Sequence, residues 1–217
     1  MPAQDMMNFD LSLYLVLDPY LCRRYSMAKT TVAAIKGGAS VVQLRDKTVG
    51  TAGLVDTGRA LKTAMAGSGV PLIVNNDLEA ALALNADGLH VGQGDMDAYE
   101  ARQRLGASKI LGLSVEDEAA VRAVDPAVVD YVGVGPVFAT STKPDHKSPI
   151  GLDGLARLVS MSPVPTVAIG GLKAAHISAL KAGGAAGMAV VSAVCGQLDP
   201  QEATQRLVQA WASAPGN

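Results

Sequence analysis

Residues Leu13–Arg24 read LYLVLDPYLCRR: a strand-sized apolar run, then Asp18 and Pro19, then a polar stretch containing no glycine. An open, doubly wound α/β sheet often follows its first strand with a glycine-rich turn that receives a dinucleotide phosphate. This turn has nothing of that kind, so it favours the other parallel architecture, a closed (β/α)₈ barrel. Seven more apolar runs follow: SVVQLRD at 40–46, PLIVNN at 71–76, GLHVGQ at 88–93, KILGLSV at 109–115, DYVGVGPVF at 130–138, PTVAIGG at 165–171 and GMAVVSA at 187–193. Each is separated from the next by an amphipathic, alanine-rich segment, from SMAKTTVAAIKGG at 26–38 to DPQEATQRLVQAW at 199–211.

Alternating strands and helices imply a parallel sheet with helices outside. Near-continuous apolar strands fit burial on both faces. Eight such units permit closure, and the expected fold is a single TIM barrel with its active site at the C-terminal strand ends. Gly37, Gly67, Gly106 and Gly183 are expected to end helices in a left-handed cap. Asp199 followed by Pro200 predicts a helix N-terminus.

The chain has 217 residues, enough to bury a full core, and one domain is expected over 1–217 with 1–11 as a flexible lead-in. A formal net charge of −2 gives no basic field for nucleic acid. The two cysteines, Cys22 and Cys195, lack metal-type spacing and read as free thiols in a reducing cytosol. The opening MPAQDMMNFD has no apolar core of a secretory signal, and the apolar runs are too short to span a membrane. A cytoplasmic protein acting on small molecules is expected.

Candidate chemistry sits at the strand ends. In VVQLRDK at 41–47, Gln43, Arg45 and Lys47 alternate and so share one face of a strand. Asn75, Asn76 and Asp77 follow the third run, Gln93 and Asp95 the fourth, and Ser114 lies in the fifth. Cations beside amides and a carboxylate suggest a polyphosphate site, with Asp95 holding Mg²⁺ through oxygen. The alternative is that Arg45 and Lys47 merely pair with acids such as Asp46. Gly170, Gly171 and the VVSA run fall where barrels bind a phosphate on backbone N–H groups. On that reading a side chain at Gly171 would obstruct the phosphate and leave the fold intact.

The loop FATSTKPDHKSPIG at 138–151 reads as a binding lid or as a solvated loop. His90 is expected to be an inward packing residue, His146 a loop residue and His176 a helix-surface residue. No His–Cys or His–Asp pair supports nucleophilic catalysis.

Taken together, VQLRDK, PLIVNND, ADGLHVGQGDM, ILGLSV, DYVGVGPVFATSTKPDH, VAIGGL and AAGMAVVSA resemble the thiamine-phosphate synthase (thiamine-phosphate pyrophosphorylase) family, in family order from Leu13 to Trp211. The resemblance implies a barrel transferase, dependent on Mg²⁺. It would join 4-amino-2-methyl-5-hydroxymethylpyrimidine diphosphate to a thiazole phosphate, plain or carboxylated, by a dissociative substitution that releases pyrophosphate. It further implies that Gln43, Leu44, Arg45, Asp46, Lys47, Asn75, Ser114 and Lys143 bind the pyrimidine diphosphate, with Arg45, Lys47, Ser114 and Lys143 catalytic. Thr140, Ser141, Thr142, Gly171, Val191 and Ser192 match the thiazole-phosphate site.

The family's two metal carboxylates fall on Asn76 and Asp95, so only Asp95 keeps the acid. An alignment shifted by one would put Asp77 there, but ungapped spacing to GLHVGQ assigns Asn76, with Asp77 facing away or starting the next helix. Two rivals stay open. A thiazole tautomerase of the same superfamily would not need the Gln43/Arg45/Lys47 face, and a non-catalytic sensor of thiamine phosphates draws support only from Asn76. A homo-oligomer is compatible with the resemblance.

Overall fold

Alternation along each strand sorts its side chains into two populations, and the sorting builds the molecule. The computed structural model describes residues 9–140 and 148–216. Eight parallel strands close into a barrel in chain order. They are β1 (Leu13–Val16), β2 (Val41–Leu44), β3 (Leu72–Asn75), β4 (Gly88–Val91), β5 (Ile110–Val115), β6 (Tyr131–Val134), β7 (Thr166–Ile169) and β8 (Gly187–Val190). Leu13, Leu15, Val42, Leu44, Leu72, Val74, Leu89 and Leu111 point outward into one continuous apolar layer. Tyr14, Val16, Val41, Ile73, Ile110, Tyr131, Val167 and Ala189 fill the barrel interior instead.

The outer layer is closed by eight helices: α1 (Met27–Lys36), α2 (Thr51–Met65), α3 (Leu78–Ala83), α4 (Ala98–Leu105), α5 (Glu118–Arg122), α6 (Gly151–Met161), α7 (Ile177–Ala182) and α8 (Pro200–Ser213). Four carry an aspartate N-cap that accepts from a backbone N–H in the first turn: Asp77, Asp97, Asp117 and Asp199. Asp199 with Pro200 at the first helical position is as the sequence predicts.

The glycine caps need a correction. Gly67 and Gly106 have positive φ as expected, but Gly37 and Gly183 have φ −78° and −77°. In these two pairs, Gly37–Gly38 and Gly183–Gly184, the left-handed residue is the second, Gly38 at +100° and Gly184 at +82°. Each first glycine still continues the helical turn and donates to a carbonyl of the last turn. Within the lead-in expected to be flexible, Leu11 is buried and Phe9 packs edge-on against Tyr131, so these residues close the barrel's lower end. No helix among the described residues is long and apolar enough to cross a membrane.

Candidate active site

The inward parity that packs the lower barrel with Val and Ile turns polar at the C-terminal strand ends. There a cavity of about 460 Å³ opens. Gln43, Arg45 and Lys47 line it together, as their alternation on and just beyond β2 requires. Asn75 contributes from the end of β3 and Asn76 from just beyond it, Gln93 and Asp95 from the turn after β4, Ser114 from β5 and Glu116 from just beyond it. Gly170, Gly171, Val191 and Ser192 form the opposite wall, with Thr140 beside them. The cavity therefore has one side bearing cations, amides and carboxylates, and another made of small residues and backbone.

Local contacts hold several of these groups. Asn76 has φ +62°, the left-handed region that asparagine tolerates better than most residues, and its N–H donates to the His90 carbonyl at 2.8 Å. Asp95 Oδ2 accepts from the Gly92 N–H at 2.8 Å, which folds the carboxylate back over the end of β4. Gln93 Nε2 donates to the Ser114 carbonyl at 2.9 Å, tying the ends of β4 and β5. Asp77 leaves the cavity: its Oδ1 caps α3 at Ala80 N and its Oδ2 accepts from Thr51 Oγ1. Asn76, not Asp77, lines the cavity, as the ungapped alignment expects.

Not every expected site side chain is there. Leu44 is fully buried in the outer layer, because its parity is opposite to that of Gln43 and Arg45. Asp46 also faces away, and its carboxylate accepts from Thr48 N and Thr48 Oγ1. Ser141, Thr142 and Lys143 lie outside the described residues, as does His146. Gly171 has φ +63°, and a Cβ there would stand 2.7 Å from the Ala139 carbonyl oxygen and 2.8 Å from Phe138 Cβ. A side chain at this position would displace the loop after β6, so the expectation that it obstructs the phosphate alone is corrected.

The floor was missed by sequence reasoning. Gln43 Nε2 donates to Tyr14 Oη at 2.8 Å, and Tyr14 Oη lies 2.8 Å from Tyr131 Oη. Tyr131 Oη is 2.9 Å from His90 Nδ1, and His90 Nε2 is 2.9 Å from Ser114 Oγ. Burial pushes both phenol pKa values well up, so the pair stays protonated. His90 points inward as expected, but it is a hydrogen-bonded part of the cavity rather than apolar packing. The available signal was two tyrosines on inward strand positions, since a buried phenol hydroxyl needs a partner.

Among the described residues, no three His, Cys, Asp or Glu side chains cluster as a metal site. The carboxylates in the cavity lining are Asp95 and Glu116, with the Asn76 amide nearby. Oxygen donors in this number suit a hard divalent cation that completes its shell with phosphate and water.

The thiamine monophosphate synthase family model matches residues 13–194. A thiamine-phosphate synthase from Xanthobacter autotrophicus is 46% identical over 206 residues, covering 95% of this chain and 98% of that one. One from a Psychrobacter species is 45% identical over 201 residues, covering 91% and 94% respectively. Among solved structures, thiamine phosphate pyrophosphorylase from Pyrococcus furiosus superposes with a TM-score of 0.85 at 30% identity, covering 95% of this chain and 98% of that one. The chain belongs to the thiamine monophosphate synthase family and is an enzyme of the transferase class.

Proposed function

We propose that this family member condenses 4-amino-2-methyl-5-hydroxymethylpyrimidine diphosphate with a thiazole phosphate, plain or carboxylated, to give thiamine phosphate and pyrophosphate. The observation that carries the reading is the two-sided cavity: Gln43, Arg45 and Lys47 on one wall, and Gly171 with Val191 and Ser192 on the other. The thiazole nitrogen forms a bond to the pyrimidine methylene carbon, and the carbon–oxygen bond to pyrophosphate breaks with its electron pair on the leaving oxygen.

A departing pyrophosphate needs positive charge more than it needs a base. Arg45 supplies a forked donor and Lys47 a point charge at the same wall. Bond breaking ahead of bond making, a dissociative course, is supported by this demand for charge at the wall that carries Arg45 and Lys47. Asn76 and Asp95 would hold Mg²⁺ alongside the substrate phosphates, and the bound ion would neutralise charge on the leaving group. Gly171 and Ser192 would receive the thiazole phosphate on backbone N–H groups, where small residues permit close approach. Holding both rings in one walled cavity supplies orientation. The buried free thiols Cys22 and Cys195 support a reducing, cytoplasmic setting.

A thiazole tautomerase would leave the Gln43/Arg45/Lys47 wall without a task. The test is to incubate the purified protein with both substrates and Mg²⁺ and to follow thiamine phosphate by mass spectrometry. Formation that depends on both substrates is expected, and its absence with a folded protein overturns the reading.

A further inference from the structure

Five polar side chains from five strands run in one line beneath the cavity: Gln43, Tyr14, Tyr131, His90 and Ser114. The line exists because a side chain is missing. His90 and Tyr131 are each paired in register with Gly112, on either side of β5. A Cβ at Gly112 would stand 2.2 Å from Tyr131 Cζ and 2.5 Å from His90 Nδ1. The glycine lets a residue of β4 reach one of β6 across the strand between them.

The direction of the protons follows from one end. Gln43 Nε2 is a donor only, so Tyr14 Oη accepts there and gives its own proton to Tyr131 Oη. Tyr131 then has its proton left for His90 Nδ1, which must accept it. A neutral imidazole that accepts at Nδ1 carries its proton on Nε2, and that proton goes to Ser114 Oγ. Protonating both ring nitrogens would leave the Tyr131 hydroxyl proton buried without an acceptor, which is costly. Among the described residues the buried side-chain atoms without a partner are the hydroxyls of Thr31 and Thr166, so no member of the line is orphaned.

We propose that Tyr14, Tyr131 and His90 are positioning residues whose one-way hydrogen-bond line fixes what the two ends offer the ligand. Gln43 presents its carboxamide oxygen as an acceptor, and Ser114 presents its hydroxyl proton as a donor. An exocyclic amine on the ligand ring answers the Gln43 oxygen, and an oxo group in its place opposes it. The ligand half of this inference rests on the pyrimidine reading above, whereas the line itself does not.

The experiment has two parts. In the full chain labelled with ¹⁵N-histidine and free of substrate, long-range ¹H–¹⁵N correlation is expected to show His90 neutral with its proton on Nε2, assigned by loss of the signal in His90→Gln. A cationic His90, or one protonated on Nδ1 alone, overturns the line whatever the enzyme does. In Tyr131→Phe, Tyr14 is free to donate to the Gln43 oxygen, the amide can reverse, and the single tautomer is lost. That variant, and Tyr14→Phe as a second should the first not fold, is expected to reduce the preference for the 4-amino over the 4-oxo pyrimidine diphosphate by about tenfold. The KM for thiazole phosphate is expected to stay constant. An unchanged preference in a folded variant overturns the positioning role. Failure of the wild-type chain to accept either pyrimidine would instead count against the proposed function, with the histidine spectrum still deciding the line.

Discussion

Asn76 and Asp77 are adjacent, yet the backbone gives them different tasks. The left-handed turn at Asn76 aims one side chain at the cavity and leaves the next free to cap α3. An amide oxygen can coordinate Mg²⁺ but brings no charge, so metal affinity should lean on Asp95 and on substrate phosphates. Asn76→Asp is expected to lower the half-saturating Mg²⁺ concentration by on the order of tenfold, and Asp95→Ala to nearly abolish turnover. Asp77→Asn keeps a competent cap, loses a charge at the helix N-terminus and turns an NH₂ toward Thr51 Oγ1 in place of the accepting oxygen. It is expected to cost about 1 kcal/mol or less of stability with no change in metal demand. Mg²⁺ titrations of initial rate on the three variants check this. A raised requirement in Asp77→Asn with none altered in Asn76→Asp would return the metal position to Asp77. The residue identities and the capping role of Asp77 were legible in the sequence, because helix capping is local. Strand parity alone, with Ile73 and Asn75 inward, would turn Asn76 outward, and the left-handed turn reverses it. The clash at Gly171 was not, because the atoms it would meet, in Phe138 and Ala139, belong to a distant part of the chain.

At the scale of the element, β2 and β5 show where reading by period succeeds and where it stops. Period-two alternation was enough to put Gln43, Arg45 and Lys47 on one wall and should have excluded Leu44 and Asp46, whose parity is opposite. Arg45→Ala and Lys47→Ala are each expected to cost about 2–3 kcal/mol in pyrimidine-diphosphate binding. Thiazole-phosphate affinity should change far less, and isothermal titration with each ligand separates the two. Equal losses for both would reduce these residues to structural supports. For β5 the sequence shows only a glycine in a strand. Its function needs the register of three strands, which no single segment carries. Gly112→Ala is expected to destabilise the fold by about 1–3 kcal/mol through overpacking against Tyr131 and His90, read as a lower urea midpoint at constant slope. An unshifted midpoint would show that β5 can move aside at no cost.

Across the whole molecule, the net charge of −2 conceals a division of labour around one cavity. The walls that would take the two phosphate-bearing substrates come from opposite sides of the barrel, β2 to β5 against β7 and β8. A ligand held by either wall binds only the folded state and should therefore raise its melting temperature. At a hundredfold excess over Kd the gain is about 2.7 kcal/mol. For a chain of this size each kcal/mol is worth about 2–4 °C, so a rise of roughly 5–10 °C is expected for each ligand. Because the walls share no strand, Arg45→Ala should erase most of the rise given by pyrophosphate with Mg²⁺ and leave that given by thiazole phosphate nearly whole. Scanning calorimetry of the wild-type and Arg45→Ala chains, with each ligand alone, makes the comparison. If Arg45→Ala removed both rises alike, the cavity would be one undivided anion site, and assigning one wall to each substrate would be wrong.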